Sequence, residues 1–230
     1  MALVGAVLVG GASRRMGVDK AVLEVGGRTL VEVAVAALAA AGAHPVLLVG
    51  DPPAGARPPV PGATAVPDRY PGEGPLGGLI TALAAASAPV PAEPDLTAGT
   101  VDRADYPDVV VVVVACDMPA FDAASAAALA RSLADTPGAA AAAAVVDGRP
   151  QPLTAAWRPA VALPVLRAAF ADGERAPRRV LPRLEVVEVH GLDPRALHDV
   201  DRPEDLRRYA DPAIPEGDLA RRPPHPTEPT

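Results

Sequence analysis

Gly10 and Gly11 end an apolar run and lead into a segment that contains Ser13, Arg15, Asp19 and Lys20. A glycine pair lets backbone N–H groups approach a phosphate with no Cβ in the way, and Arg15 and Lys20 add charge-assisted donors for the same anion. The spacing is neither the G-x-x-x-x-G-K-[ST] of a P-loop nor the G-x-G-x-x-G of a dinucleotide fold. A surface turn with incidental basic residues would account for the glycines alone. Lys20 argues for more: it is the single lysine among 21 basic residues, so a chain that otherwise uses arginine keeps the compact ammonium here. A point charge and a planar fork are not interchangeable at such a site.

Asp117 is the carboxylate placed to meet the same phosphates. It follows six consecutive valines at 109–114, a β-branched run that favours a strand buried on both faces. Ligands of a parallel sheet gather beyond the carboxyl ends of its strands, which puts Asp117 at the edge where Lys20 belongs. A carboxylate there suits Mg²⁺ bridging triphosphate oxygens; the plainer alternative is a helix N-cap. Cys116 beside it reads as structural. Between the two, residues 66–79 are rich in glycine and proline ahead of a helix, a shaped loop whose backbone groups can read a base edge.

The elements that must hold these groups alternate along the chain. Aliphatic runs at 2–9, 45–49, 109–115 and 140–146 predict strands, and the Ala- and Leu-rich stretches 30–41, 78–86, 125–133 and 160–170 predict helices. That alternation is the pattern of βαβ units, so the predicted class is α/β with a mainly parallel sheet covered on both faces. Residues 184–189 predict a late strand and 202–206 a terminal helix with proline in its first turn. Residues 52–61 and 88–107 read as loops outside the core. A single domain is expected over 1–210, with 211–230 a Pro-rich tail expected to be disordered.

The chain has 230 residues, half of them hydrophobic, and a formal net charge of −7. That is enough apolar material for one substantial core, and the negative balance argues against nucleic acid or an acidic membrane as the main partner. One cysteine forms no internal disulfide and fits a reducing cytoplasm. The basic residues follow the first apolar run instead of leading it, which is not the order of a signal peptide. The longest aliphatic stretch, 109–116, is too short to span a bilayer, so a soluble cytoplasmic protein is expected. The four histidines form no catalytic array, and Ser13 has no base partner at a recognisable spacing.

Residues 10–20 resemble the G-G-x-S-x-R-M-G-x-D-K signature of the molybdenum cofactor guanylyltransferases, with Gly10, Gly11, Ser13, Arg15, Met16, Gly17, Asp19 and Lys20 all matching. Residues 116–119 resemble the C-D-x-P motif of the same family, and 74–78 its G-P-L-x-G core. The resemblance implies a Rossmann-like three-layer αβα nucleotidyltransferase fold. It implies transfer of GMP from GTP to molybdopterin with Mg²⁺ as cofactor and release of pyrophosphate, and transient contact with other enzymes that make or accept the cofactor. Arg15, Lys20 and Asp117 would be catalytic. The nucleotide would lie against Leu8, Val9, Gly10, Gly11, Ser13 and Lys20, and against Asp51, Asp68, Gly74, Pro75, Leu76 and Asp117. Asp51 stands where the family usually has asparagine.

Residues 198–206 resemble the family's N-x-N-T-P-E-[DE]-L with both asparagines replaced, by Asp199 and Asp201, and the threonine replaced by Arg202. Asp201 is a candidate second metal ligand beside Asp117, and capping of the helix at Pro203 is the competing reading for Asp199 and Asp201. By the same resemblance the acceptor side comprises Gln151, Arg175, Arg178 and Asp199, where arginines suit a substrate phosphate. Arg179 and Arg183 are expected to be solvated. Two alternatives share the fold, cytidylyl transfer to molybdopterin and guanylyl transfer to phospholactate. A third is a GTP-binding module without chemistry.

Overall fold

The computed structural model describes residues 2–9, 23–50, 60–87, 109–200, 203–206 and 209. In chain order its elements are β1 (Ala2–Leu8), β2 (Glu24–Val25), β3 (Arg28–Thr29), α1 (Leu30–Ala40), β4 (Val46–Val49), β5 (Ala63–Val66) and α2 (Pro75–Ser87). There follow β6 (Val109–Ala115), α3 (Ala123–Ala134), β7 (Ala141–Val146), β8 (Arg149–Trp157), α4 (Pro159–Ala171), α5 (Pro177–Val180) and β9 (Val186–Val189). Short 3-10 turns occupy Leu181–Arg183 and Pro203–Leu206.

The valine run decides the centre. In a strand successive side chains point to opposite faces, and here Val110, Val112 and Val114 join a core formed with α1 and α3, while Val109, Val111 and Val113 join one formed with α2 and α4. All six are at most 5% exposed, and burying each contributes about 1.5–3 kcal/mol. A strand apolar on both faces needs helices on both, which gives the three-layer αβα arrangement. The alanines at 139–144 are fully buried, so that tract is core.

The main sheet has the order β5-β4-β1-β6-β8-β7-β9. β5, β4, β1 and β6 run parallel, β8 is antiparallel to both β6 and β7, and β9 runs parallel to β7. The sheet is thus mainly parallel, as expected. Local signals fix the helix starts. Thr29 accepts from Glu32 N at 3.2 Å while Glu32 accepts from Thr29 N at 2.7 Å, a capping box opening α1. Asp122 accepts from Ser125 N at 2.7 Å at the start of α3.

Several features differ from the sequence reading, which places neither the β2–β3 ribbon nor α5. α2 begins at Pro75, three residues before the predicted start, because proline suits the first helical position. β5 is an additional strand, short and at the sheet edge. β8 is a second addition, since Pro150 and Pro152 argue against a strand. It tolerates them because its pairing with β6 starts only at Thr154 and its pairing with β7 shifts register between Ala143 and Ala144. Residues 149–153 therefore project beyond β6, and β8 has no ladder to keep on that side.

Candidate active site

The parallel register brings four chain exits to one edge. Leu8 pairs with both Val49 and Ala115, and Val49 pairs with Val66. At that edge the chain leaves β1 through Val9, β4 through Gly50, β5 through Pro67 and Asp68, and β6 through Cys116 and Asp117. Leu8 is half-buried and Val9 buried. Val9 N donates to Val49 O at 2.9 Å, Gly50 N to Val66 O at 3.1 Å and Cys116 N to Leu8 O at 3.2 Å, so the ladder continues past the ends of the strands. Gly50 has φ 136°, and a Cβ there would collide with the Val9 carbonyl. Only glycine lets β4 close this tightly on the residue that leads into the glycine loop. Gly10, Gly11, Ser13, Arg15, Lys20, Asp51 and Asp201 lie outside the described residues, as do 88–107 and the tail.

The loop after β5 is organised by Asp68. Its Oδ1 accepts from Tyr70 N at 3.0 Å and from the fully buried Thr81 hydroxyl at 3.1 Å. Thr81 Oγ1 also accepts from Arg69 N at 3.2 Å, and its single proton is shared between Asp68 and Gly77 O, 3.0 Å away. The half-buried carboxylate is thus locked to the first turns of α2, with Gly74 and Pro75 exposed beside it and Leu76 fully buried as the anchor. Gly77 has no room for a side chain, because a Cβ would sit 2.7 Å from Tyr70 Cβ.

The opposite wall is the tip of the β7–β8 hairpin. Asp147 and Gly148 both have positive φ, 50° and 71°, the geometry of a type I′ turn. The hairpin, α5 and the 3-10 turn after it line an open cavity of about 1180 Å³ that reaches Asp117. Gln151, Arg178 and Asp199 line it together with Asp117 and Pro75, as do Arg149 and Arg179. Arg149 belongs to the 147–153 stretch that by resemblance lines the acceptor side, and the Asp-Gly turn sets it on the wall. Arg175 falls elsewhere: its guanidinium lies 4.1 Å from the Phe170 ring centroid and meets Glu73 at 2.7 Å, and it does not line the cavity. Glu174 turns the chain there, accepting from Arg175 N at 2.8 Å and Ala176 N at 2.9 Å. Those two backbone donors hold its carboxyl below the ordinary value of 4.5.

The segment after β9 returns to the site. Val200 N donates to Asp117 O at 2.9 Å, which seats Asp199 at the cavity alongside the end of β6. Val200 and Leu206 pack on Leu30 of α1, and Tyr209 Oη lies 2.8 Å from His198 Nδ1. His198, to which the sequence assigns no role, therefore helps fasten the chain on either side of 199–206. Among the described residues no group of three or more His, Cys, Asp or Glu side chains is arranged to hold a metal, and no helix is long and apolar enough to cross a membrane.

Residues 5–188 match the family model of the MobA-like NTP transferase domain. A probable molybdenum cofactor guanylyltransferase of Opitutus terrae is 37% identical over 213 residues, covering 90% of this chain and 94% of that protein. The probable enzyme of the same description from Deinococcus radiodurans is 35% identical, covering 89% and 92%. Among solved structures, molybdopterin-guanine dinucleotide biosynthesis protein A of Archaeoglobus fulgidus superposes with a TM-score of 0.62 at 22% identity, over 90% of this chain and 96% of that one. The 2-C-methyl-D-erythritol 4-phosphate cytidylyltransferase of Thermus thermophilus gives 0.61 at 22% identity, over 91% and 98%. These two share the fold. With a family match over most of its length and relatives aligned nearly end to end, the chain belongs to the MobA-like NTP transferase family.

Proposed function

We propose that this protein transfers GMP from GTP to the phosphate of molybdopterin, releasing pyrophosphate, as a cytoplasmic enzyme of molybdenum cofactor maturation. The observation that carries the reading is the cavity itself. It joins the Asp117 edge of the parallel sheet to a wall bearing Arg149, Arg178 and Arg179. The relatives' names supply the base and the acceptor.

In this reading the guanine lies against the loop from Asp68 to Leu76, and the triphosphate lies over residues 10–20. An oxygen of the acceptor phosphate attacks the α-phosphorus, the bond from that phosphorus to the bridging oxygen breaks, and pyrophosphate leaves. Such transfers need positioning and charge neutralisation more than covalent help from the protein. Arg15 and Lys20 offset the charge on the leaving pyrophosphate, while Gln151, Arg178 and Asp199 orient the acceptor. The donor chemistry fits Mg²⁺, a hard cation that takes one or two carboxylates and completes its shell with water and phosphate oxygens. Asp117 is half-buried at the cavity, and Val200 N donates to its backbone oxygen. Asp117 and Asp201 would hold the ion, which when bound neutralises triphosphate charge.

The test is to incubate the protein and Mg²⁺ with each of the four NTPs and with molybdopterin or phospholactate, following pyrophosphate. Release with GTP and molybdopterin alone is expected. Release with CTP or with phospholactate would reassign the base or the acceptor, and nucleotide binding without release would mark a binding module.

A further inference from the structure

Arg175 lies one residue before the acceptor wall yet turns away from it. Its Nη2 meets Glu73 Oε2 at 2.7 Å, and its Nη1 donates to the carbonyls of Phe170 and Glu174 at 2.8 and 3.0 Å. The ion pair joins segments 102 residues apart in sequence. Each segment places a near neighbour in the cavity, Pro75 from the nucleotide side and Ala176 from the acceptor side. The backbone repeats the tie, since Leu76 N donates to Arg175 O at 3.1 Å. Gly74, at φ 87°, leaves no slack: a Cβ there would lie 3.2 Å from both Cβ and O of Arg175. Beneath, the Tyr70 and Phe170 rings pack tilted at 51° with centroids 4.6 Å apart, and Leu76 is fully buried. Above, the ion pair is open to solvent, with the two side chains 41% and 49% exposed.

We propose that the Glu73–Arg175 pair is a latch between the nucleotide loop and the acceptor wall, so that guanine nucleotide and acceptor bind cooperatively; this rests on the guanylyl-transfer reading above. The anchor below fixes where the two segments meet, and the exposed pair above sets how tightly they close. Each substrate sits against residues next to the latch and favours its closed arrangement, so the first to bind spares the second part of the cost of closure. A deeply buried pair would stay shut and couple nothing. A half-exposed pair is weak enough for ligands to shift. Arg175 is thereby a positioning residue that acts through the loop it holds.

The experiment measures the Kd of α,β-methylene-GTP, which cannot be cleaved at the reacting bond, with Mg²⁺ and with or without saturating molybdopterin. Wild-type protein is compared with Glu73→Gln, Arg175→Met and the charge-swapped double variant Glu73→Arg/Arg175→Glu. In the wild type, molybdopterin is expected to tighten the nucleotide by about 5-fold or more. In each single variant that ratio falls to about 1, the Kd without acceptor changes less than the ratio does, and Tm stays near wild type; the swap regains part of the ratio. Single variants that retain the wild-type ratio, or a wild type whose ratio is already 1, would overturn the latch. A wild type that binds no guanine nucleotide would overturn the functional reading itself, a result distinct from binding without coupling.

Discussion

On the side of the cleft proposed for the nucleotide, four parallel strands end in register at Leu8, Val49, Val66 and Ala115. On the acceptor side, the wall is the projecting end of a hairpin, a four-residue helix and a returning C-terminal segment. The first is positioned by main chain packed so closely that Gly50 and Gly77 admit no side chain. The second is positioned by a turn, a half-exposed ion pair and one backbone bond from Val200. The contrast separates two tasks. In the proposed function a triphosphate would be met at a sheet edge, whereas the acceptor would be met by side chains on a hairpin tip and a short helix.

The largest effect that would break this contrast lies on the nucleotide side. Lys20→Ala and Asp117→Ala should each lower pyrophosphate release by about 10²–10³-fold, as losing one preorganised charge-stabilising group does, with circular dichroism unchanged. Near-normal turnover in either would remove that residue from the site. Next comes Gly50→Ala, whose Cβ meets the Val9 carbonyl backbone: a stability loss of about 2–4 kcal/mol, seen in the denaturant midpoint, together with weaker GTP binding. Gly148→Val, strained at φ 71° in the hairpin turn, should cost about 1–3 kcal/mol and raise KM for the acceptor while leaving KM for GTP near wild type. Equal effects on both substrates would dissolve the distinction between the two sides.

The smallest effect is on pH dependence. Glu174 titrates below 4.5 in the folded protein because two backbone N–H groups favour its anion. It therefore adds stability that is fully present above 4.5 and is lost as the pH falls through its folded pKa. Glu174→Gln should be less stable than wild type at neutral pH, and the difference should close on acidification. A difference independent of pH would show that the carboxylate's charge is not what holds the turn.

The same contrast explains what is legible in the sequence. Val109 to Val114 announce a strand covered on both faces, and the capping box at Thr29 and Glu32 marks a helix start with local chemistry alone. The end of β6 follows from the valine run, so residue types alone place Asp117 at the sheet edge. The acceptor wall is harder, because β8 carries Pro150 and Pro152 and is a strand only by virtue of a register shift and of projecting past its neighbour. Sequence likewise groups Arg175 with its basic neighbours at the acceptor, whereas packing against Phe170 and Glu73 turns it to the nucleotide loop. Local spacing shows which residues share a segment; it does not show which way a side chain leaves one.

The central claim is that guanine nucleotide occupies the parallel-strand edge and meets its acceptor in the cavity beside Asp117. A crystal of the full chain soaked with GTP and Mg²⁺ tests it most directly. The expected result is the base against residues 68–76, the triphosphate over 10–20 and the metal on Asp117. A nucleotide seated instead on the hairpin wall at Arg149 and Arg178, with Asp117 away from both phosphate and metal, would contradict it.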